Sequence, residues 1–228
     1  MRALQLTVAL VCMSGTALAG TDNPYPKMAD AKQYRAASKA DEIALARSAA
    51  PPAIADHAAV LVLGDKGYET AVAGSNGFTC FVGRSWDVGF ADPQFWNPRI
   101  RSPQCMNAAS VRSVLPRYLT RTEWVLAGVS KDDIKKREAT ARAAGKLTAP
   151  DAESMCYMMS KDGYLNDDVT HWHPHVMFFT PRGDLARWGA NQQGSPVMAD
   201  DKSYDDADIF FVVVANWSDG TSAQMQMH

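Results

Sequence analysis

At 228 residues, with 46% hydrophobic and 21% charged side chains, the chain has the composition of a globular protein long enough to bury a core. Its 23 Lys and Arg against 25 Asp and Glu give a net charge of −2, so no basic excess argues for nucleic acid as a partner. After the N-terminus, no apolar run reaches the roughly 18–20 residues that a membrane span requires.

The first nineteen residues read as a secretory signal peptide. Arg2 supplies the positive start, Leu4 to Met13 is apolar apart from Gln5 and Thr7, and Ala17-Leu18-Ala19 is a small-residue cleavage site. Export implies a periplasmic or secreted protein in an oxidising compartment, where cysteines pair. Cys12 leaves with the signal, so Cys80, Cys105 and Cys156 remain. A Cys80–Cys105 disulfide is expected, because each lies beside a loop rich in Pro, Gly and aromatics that needs tying down. Cys156, in the run Met155-Cys156-Tyr157-Met158-Met159, reads as a buried thiol.

The mature chain divides into a flexible leader, 20–29, with Pro24 and Pro26, and one globular domain, 30–228. Asp30, with Gln33 three residues on, caps a helix expected over 31–49. Its small stripe of Ala36, Ala40, Ile43 and Ala44 suits a surface helix, and Pro51-Pro52 ends it. Three strands follow, 58–63, 68–73 and 78–86, joined by Gly64-Asp65-Lys66-Gly67 and Gly74-Ser75-Asn76-Gly77. They predict a three-stranded antiparallel meander. Residues 87–106 read as a long irregular connection, whose aromatics (Phe90, Phe95, Trp96) pack it onto the body.

Val111, Val114, Leu115, Tyr118 and Leu119 recur at helical spacing, with Pro116 either starting a fresh first turn or kinking the helix, and Gly128 a stop. Ser130-Lys131-Asp132-Asp133 opens a second helix to about Ala144, completing a helical hairpin. Strands return at 154–160, 175–180 and 208–216, the last an apolar run suited to burial on both faces. A loop, 183–204, lies between the last two. The expected class is α+β: an antiparallel sheet of meander and C-terminal strands, with an N-terminal helix and a helical hairpin on one side.

Chemistry is hinted at in Thr170 to Pro181. His171, His173 and His175 alternate, so an extended backbone would put their imidazoles on one face, a set suited to Zn or Cu. Pro174 interrupts the alternation, which narrows the set to His173 and His175 with a further ligand from His57, Asp167 or Asp168. Met155, Met158, Met159, Met177 and the tail Met225-Gln226-Met227-His228 would suit Cu(I), although Met is also an ordinary core filler. Arg84-Ser85-Trp86 and Arg187-Trp188 each pair a cation with an indole, so Arg84, Trp86, Arg187 and Trp188 are candidates to frame a ligand. The carboxylate clusters Asp167-Asp168, Asp200-Asp201 and Asp205-Asp206 lack the frame of a calcium loop. No Gly-rich phosphate loop, G-x-S-x-G, C-x-x-C or H-E-x-x-H is present.

The pieces Gly74-Ser75-Asn76-Gly77-Phe78-Thr79-Cys80, Pro174-His175-Val176-Met177-Phe178-Phe179 and Ala215-Asn216-Trp217-Ser218-Asp219-Gly220-Thr221 resemble a group of uncharacterised secreted bacterial proteins. The resemblance spans most of the mature chain. It implies export and one folded unit, and brings no activity or cofactor with it.

Three functions fit. The favoured one is a periplasmic binding or interaction module, taking a small molecule or an envelope protein on the aromatic loops 86–106 and 183–204. The others are a metal-dependent enzyme or carrier on the His171–His175 segment, and a structural envelope protein.

Overall fold

The computed structural model describes residues 23–169, 172–183, 185–200, 204 and 206–223. The expected signal segment, the Met-rich tail, His171, Asp201 and Asp205 lie outside them.

The frame is a mixed eight-stranded sheet with five α-helices among the described residues. The strands are β1 (Ala59–Leu63), β2 (Tyr68–Val72), β3 (Thr79–Gly83), β4 (Ser102–Met106), β5 (Met155–Met158), β6 (His175–Pro181), β7 (Val197–Asp200) and β8 (Ala207–Val213), in the order β2-β1-β3-β4-β5-β6-β8-β7. Neighbours run antiparallel except β1 and β3, which are parallel. The expected meander is therefore half right. β2 does return along β1, but the chain then crosses the start of β1 and lays β3 on its other side. Gly74 makes the crossing, because a Cβ there would sit 2.1 Å from the Ala59 nitrogen, inside the backbone of β1. Ser75 N–H donates to the His57 carbonyl (2.8 Å), which holds the crossing down. What reads locally as a tight turn is a crossover segment.

Two further expectations change. The continuous helix over 31–49 is a single 3-10 turn, Ala31–Tyr34, and then α1, Lys39–Arg47. Arg35 is extended, and Ser38 recaps the helix by accepting from Asp41 N–H, so an internal cap wins over helix propensity. The alanines beyond the expected surface stripe are buried: Ala46, Ala49, Ala50, Ala55 and Ala58 pack with Cys80, Val82 and Cys105. Their small side chains let α1 and the short α2 (Pro52–Ala55) approach the sheet closely. The irregular connection 87–106 ends in β4, hidden in sequence by Pro103.

The remaining helices follow their signals. α3 (Ala108–Ser113) is capped by Asn107, α4 (Leu115–Leu126) carries Pro116 in its first turn, and α5 (Lys131–Ala143) is capped by Ser130 accepting from Asp133 N–H. Gly128 and Gly145 take left-handed φ values after α4 and α5. From Asn23 the leader lies on the body: Tyr25 O–H donates to Asp167 (2.5 Å), and Tyr25 and Met28 pack against the cluster around Trp86 and Phe95.

Alternation splits the sheet into two faces. Cys80, Val82 and Cys105 face α1. Phe81, Met106, Cys156, Met177, Phe179 and Ile209 face the other way, against Val114, Leu115 and Tyr118. Cys80 and Cys105 are direct cross-strand partners on β3 and β4 and form the expected disulfide. Cys156 is a free, buried thiol on the opposite face. No helix among the described residues is long and apolar enough to cross a membrane.

Two guanidiniums are enclosed almost completely. Arg121, 2% exposed, holds both carboxylate oxygens of Glu138 and donates to the Trp86 and Val88 carbonyls at 2.7 and 2.9 Å. Arg84, 1% exposed, pairs with Glu42 (2.7 Å) and donates to the Tyr34 and Val82 carbonyls. Removing one partner of such a pair strands a buried charge, whereas an exposed pair contributes little. Arg121→Ala should therefore cost about 3–5 kcal/mol in urea denaturation, and Arg112→Ala, whose partner Asp151 is solvated, less than about 1 kcal/mol. Replacing Cys80 and Cys105 together by Ala should cost roughly 3 kcal/mol by the same measurement.

Candidate functional site

On the face opposite the disulfide, the sheet is covered incompletely. The segment 84–101 leaves β3, loops outward and returns as β4, so it overhangs the middle of the sheet. Beneath it lies a cavity of about 450 Å³. The floor is Met158, Met177, Ile209 and Phe211, inward-facing residues of β5, β6 and β8, with Ser102 and Gln104 of β4. Asp87, Val88, Asp92 and Gln94 of the overhang form one wall, and Leu165, Asn166 and Asp168 the opposite one. Tyr118 of α4 and Tyr204 close the inner end, and Asp200 also lines it.

Gly83 sets the polar geometry. A Cβ on it would lie 2.5 Å from both Gln104 Nε2 and Ser102 Oγ, and 2.7 Å from Asp87 Oδ2. Three polar side chains therefore converge over one glycine, in space that any other residue would fill. Asp87 Oδ2 accepts from Arg84 N–H at 2.8 Å. Asp87 Oδ1 is out of solvent contact and has no hydrogen-bond partner among the described residues. Withdrawal from water pushes the Asp87 carboxyl up to about 7, against the lowering pull of the Arg84 N–H, Arg121 and Arg84. An acid that titrates near neutrality in a cavity marks a candidate site.

The tyrosines are kept protonated. Tyr118 and Tyr204 share a hydrogen bond of 2.8 Å, and the Tyr204 hydroxyl lies 3.3 Å from the Asp87 carbonyl. Burial raises both phenols, Tyr204 to about 12. Arg117 stacks over the Tyr204 ring, 4.4 Å from its centroid, while pairing with Asp206 at 2.5 and 2.7 Å. The Cys156 sulfur lies 4.0 Å from Gln104 Oε1, and burial raises its thiol far above the ordinary range, so it is an inert part of the floor's support.

The residues singled out in sequence are scattered. Arg84 lines the cavity, and its neighbour Trp86 is fully buried, donating from Nε1 to Thr122 Oγ1 (2.9 Å) as a prop beneath the overhang. Trp188, 41% exposed, stacks on Phe210 at 4.6 Å on the other face of the sheet, and its neighbour Arg187 shares that exposed turn, Leu185–Trp188. His175 is buried between Trp172 and Phe211, with Nδ1 on the His173 carbonyl at 2.7 Å. Burial lowers its imidazole to about 4, so the ring is neutral and Nδ1–H donates. His57 is exposed at the far end of the sheet, where β1 begins. Asp167 is held by Tyr25, Tyr164 and Asn97, and these hydrogen bonds, Tyr164's first, keep its carboxyl below the usual range. Among the described residues, no group of three or more His, Cys, Asp or Glu converges to hold a metal ion.

Asp87, Ser102, Gln104, Tyr118 and Tyr204 are the residues sequence reasoning missed. The alternation Ser102-Pro103-Gln104-Cys105-Met106 carries a signal for two of them, because it places Ser102, Gln104 and Met106 on one face once β4 is recognised. The chain matches no protein-family profile, no curated protein and no solved structure.

The elevated Asp87 carboxyl has a thermodynamic consequence. A group whose folded pKa exceeds its unfolded value contributes stability that is complete below the unfolded value and lost as pH rises through the folded one. Unfolding free energy should thus fall between about pH 4 and pH 7, by about 4 kcal/mol at most from this group. Asp87→Asn, which keeps an acceptor for Arg84 N–H, should flatten that slope, as read from urea melts across the range.

Proposed function

We propose that the chain is an exported small-molecule binding protein whose ligand occupies the cavity under the 84–101 overhang. One observation carries the reading: a half-open cavity of about 450 Å³ combines an apolar floor with polar side chains that converge over Gly83. Binding sites have this constitution, apolar for affinity and with few polar groups for orientation. The walls are pre-formed. Arg121 and Arg84 fix both ends of the 84–88 turn, and Asn97, buried farther along, donates to Gln94 Oε1 (2.6 Å) and Asp167 Oδ1 (2.9 Å), tying the overhang to the segment that forms the opposite wall. A pre-organised wall lowers the ordering cost of binding.

Export and an oxidising location draw support from the Arg2–Ala19 signal pattern and from the Cys80–Cys105 disulfide. The aromatic connection expected to bind is the overhang itself. Its aromatics do not touch the cavity, however: Phe90, Phe95 and Trp96 stack together and against Arg121 and Lys131, serving as the roof's own core.

A thermal-shift screen of the mature chain against a metabolite library should return stabilising compounds. Leu165→Trp on the wall and Ile209→Trp on the floor should abolish those shifts, with Leu165→Trp retaining the far-UV circular dichroism and the cooperative thermal transition of the unsubstituted protein. Stabilisation that survives both substitutions would place the ligand elsewhere and end this reading.

A further inference from the structure

Among the described residues, the charge inventory around the cavity is unbalanced. Each buried guanidinium near it is already matched: Arg121 by Glu138, Arg84 by Glu42, and Arg117 by Asp206. Arg84 is the only basic side chain that lines the cavity among the described residues, and its other donors are spent on backbone carbonyls. The lining carboxylates are more numerous. Asp87 and Asp92 stand on the overhang wall and Asp168 on the exposed rim. Among the described residues, the Asp92 carboxylate is engaged only locally, accepting from Gln94 N–H. A cleft lined by one sign of charge, with apolar walls, concentrates cations more than the same charges spread over open surface would.

We propose that the ligand is an organic cation: a protonated amine whose charge is balanced by Asp87, Asp92 and Asp168, and whose apolar body lies on Met158, Met177, Ile209 and Phe211. The inference rests on the cavity reading above. Four apolar floor residues suit an aryl or alkyl portion, and Phe211 offers a ring to it. Ser102 Oγ and Gln104 Oε1 add neutral acceptors for ammonium protons. Asp87 acts from the wall as a charge rather than as an open acceptor, since its Oδ1 is out of solvent contact and its Oδ2 already accepts from Arg84 N–H. Its ionised form lacks a full set of partners, and a cation in the cavity supplies the missing compensation.

The coupling to pH follows. The groups facing Asp87 are Arg84 from its own segment, Arg121 from α4, Glu138 from α5, and the phenols of Tyr68, Tyr118 and Tyr204. The two arginines are paired and the phenols stay protonated, so Asp87 is the member that changes charge near neutrality. An amine should bind well above the Asp87 titration and weaken as pH falls through it.

The test uses a matched set on the mature full chain: 2-phenylethylamine, 2-phenylethanol and phenylacetate, with affinities from isothermal titration calorimetry. The amine should bind at least roughly tenfold more tightly than either analogue at about pH 8, and roughly tenfold more weakly at about pH 5.5. Asp87→Asn should lose roughly tenfold and the pH dependence with it, while the solvent-facing Asp168→Asn, which leaves the interior untouched, should lose less. Equal or tighter binding of the alcohol or the carboxylate overturns the cation assignment while leaving the cavity as a binding site. So does amine affinity that is unchanged in Asp87→Asn. If none of the three binds, the cation assignment also falls, and the library screen with Leu165→Trp judges the cavity separately.

Discussion

Two enclosed guanidiniums hold this structure in its working shape. Arg121 reaches from α4 to grip Glu138 of α5 on one side and the carbonyls of Trp86 and Val88 on the other. Arg84, the first residue after β3, joins Glu42 of α1 to the carbonyls of Tyr34 and Val82. Between them they fasten one turn, 84–88, to three helices and a strand. Buried ion pairs contribute little net stability over apolar replacements of the same shape. Their contribution here is geometric: donors with fixed directions satisfy carbonyls of an irregular segment that no ladder can satisfy. Without Arg121 the Trp86 and Val88 carbonyls would be left without their partner, and the start of the overhang would lose its anchor to α4 and α5.

The cavity then follows from topology. β3 ends at Gly83, and the chain travels outward for eighteen residues, 84–101, before returning beside it as β4. That excursion leaves the middle of the sheet open above β4, β5, β6 and β8, while α3 and α4 cover the part nearer Met106 and Phe179. Gly83 lies at the edge between covered and open floor. Its missing side chain admits Ser102, Gln104 and Asp87 into one volume, and the same closeness strips water from the Asp87 carboxyl. Packing and titration are thus two outcomes of one placement.

The disulfide belongs to the other half of the molecule. It ties β3 to β4 on the α1 face, directly behind the strands that carry Gly83, Ser102 and Gln104. A cross-link there fixes the base of the overhang from below, as the arginines fix it from above. His175 is also structural in this setting, a neutral ring wedged between Trp172 and Phe211 where β6 begins.

Local signals in the chain resolved whatever is decided within a few residues. Ser130 and Gly128 bracket their helices because caps satisfy nearby orphan groups, and the run Asp208 to Val213 is a strand because continuous apolar residues suit a position between two neighbours. Cys80 and Cys105 could be matched as partners from their loops alone. Only tertiary structure settled the rest. Gly74 signals a turn equally well whether the chain doubles back or crosses over, and contact with Ala59 decides between them. Pro103 argues against a strand until β3 lies beside it, with Val82 as its partner, while β5 pairs only farther along, at Cys105 and Met106. Asp87, Gln104 and Tyr204 stand far apart in sequence, and each alone is an ordinary polar residue. Their meeting depends on strand order, which is set by the summed burial of both sheet faces and leaves no local trace.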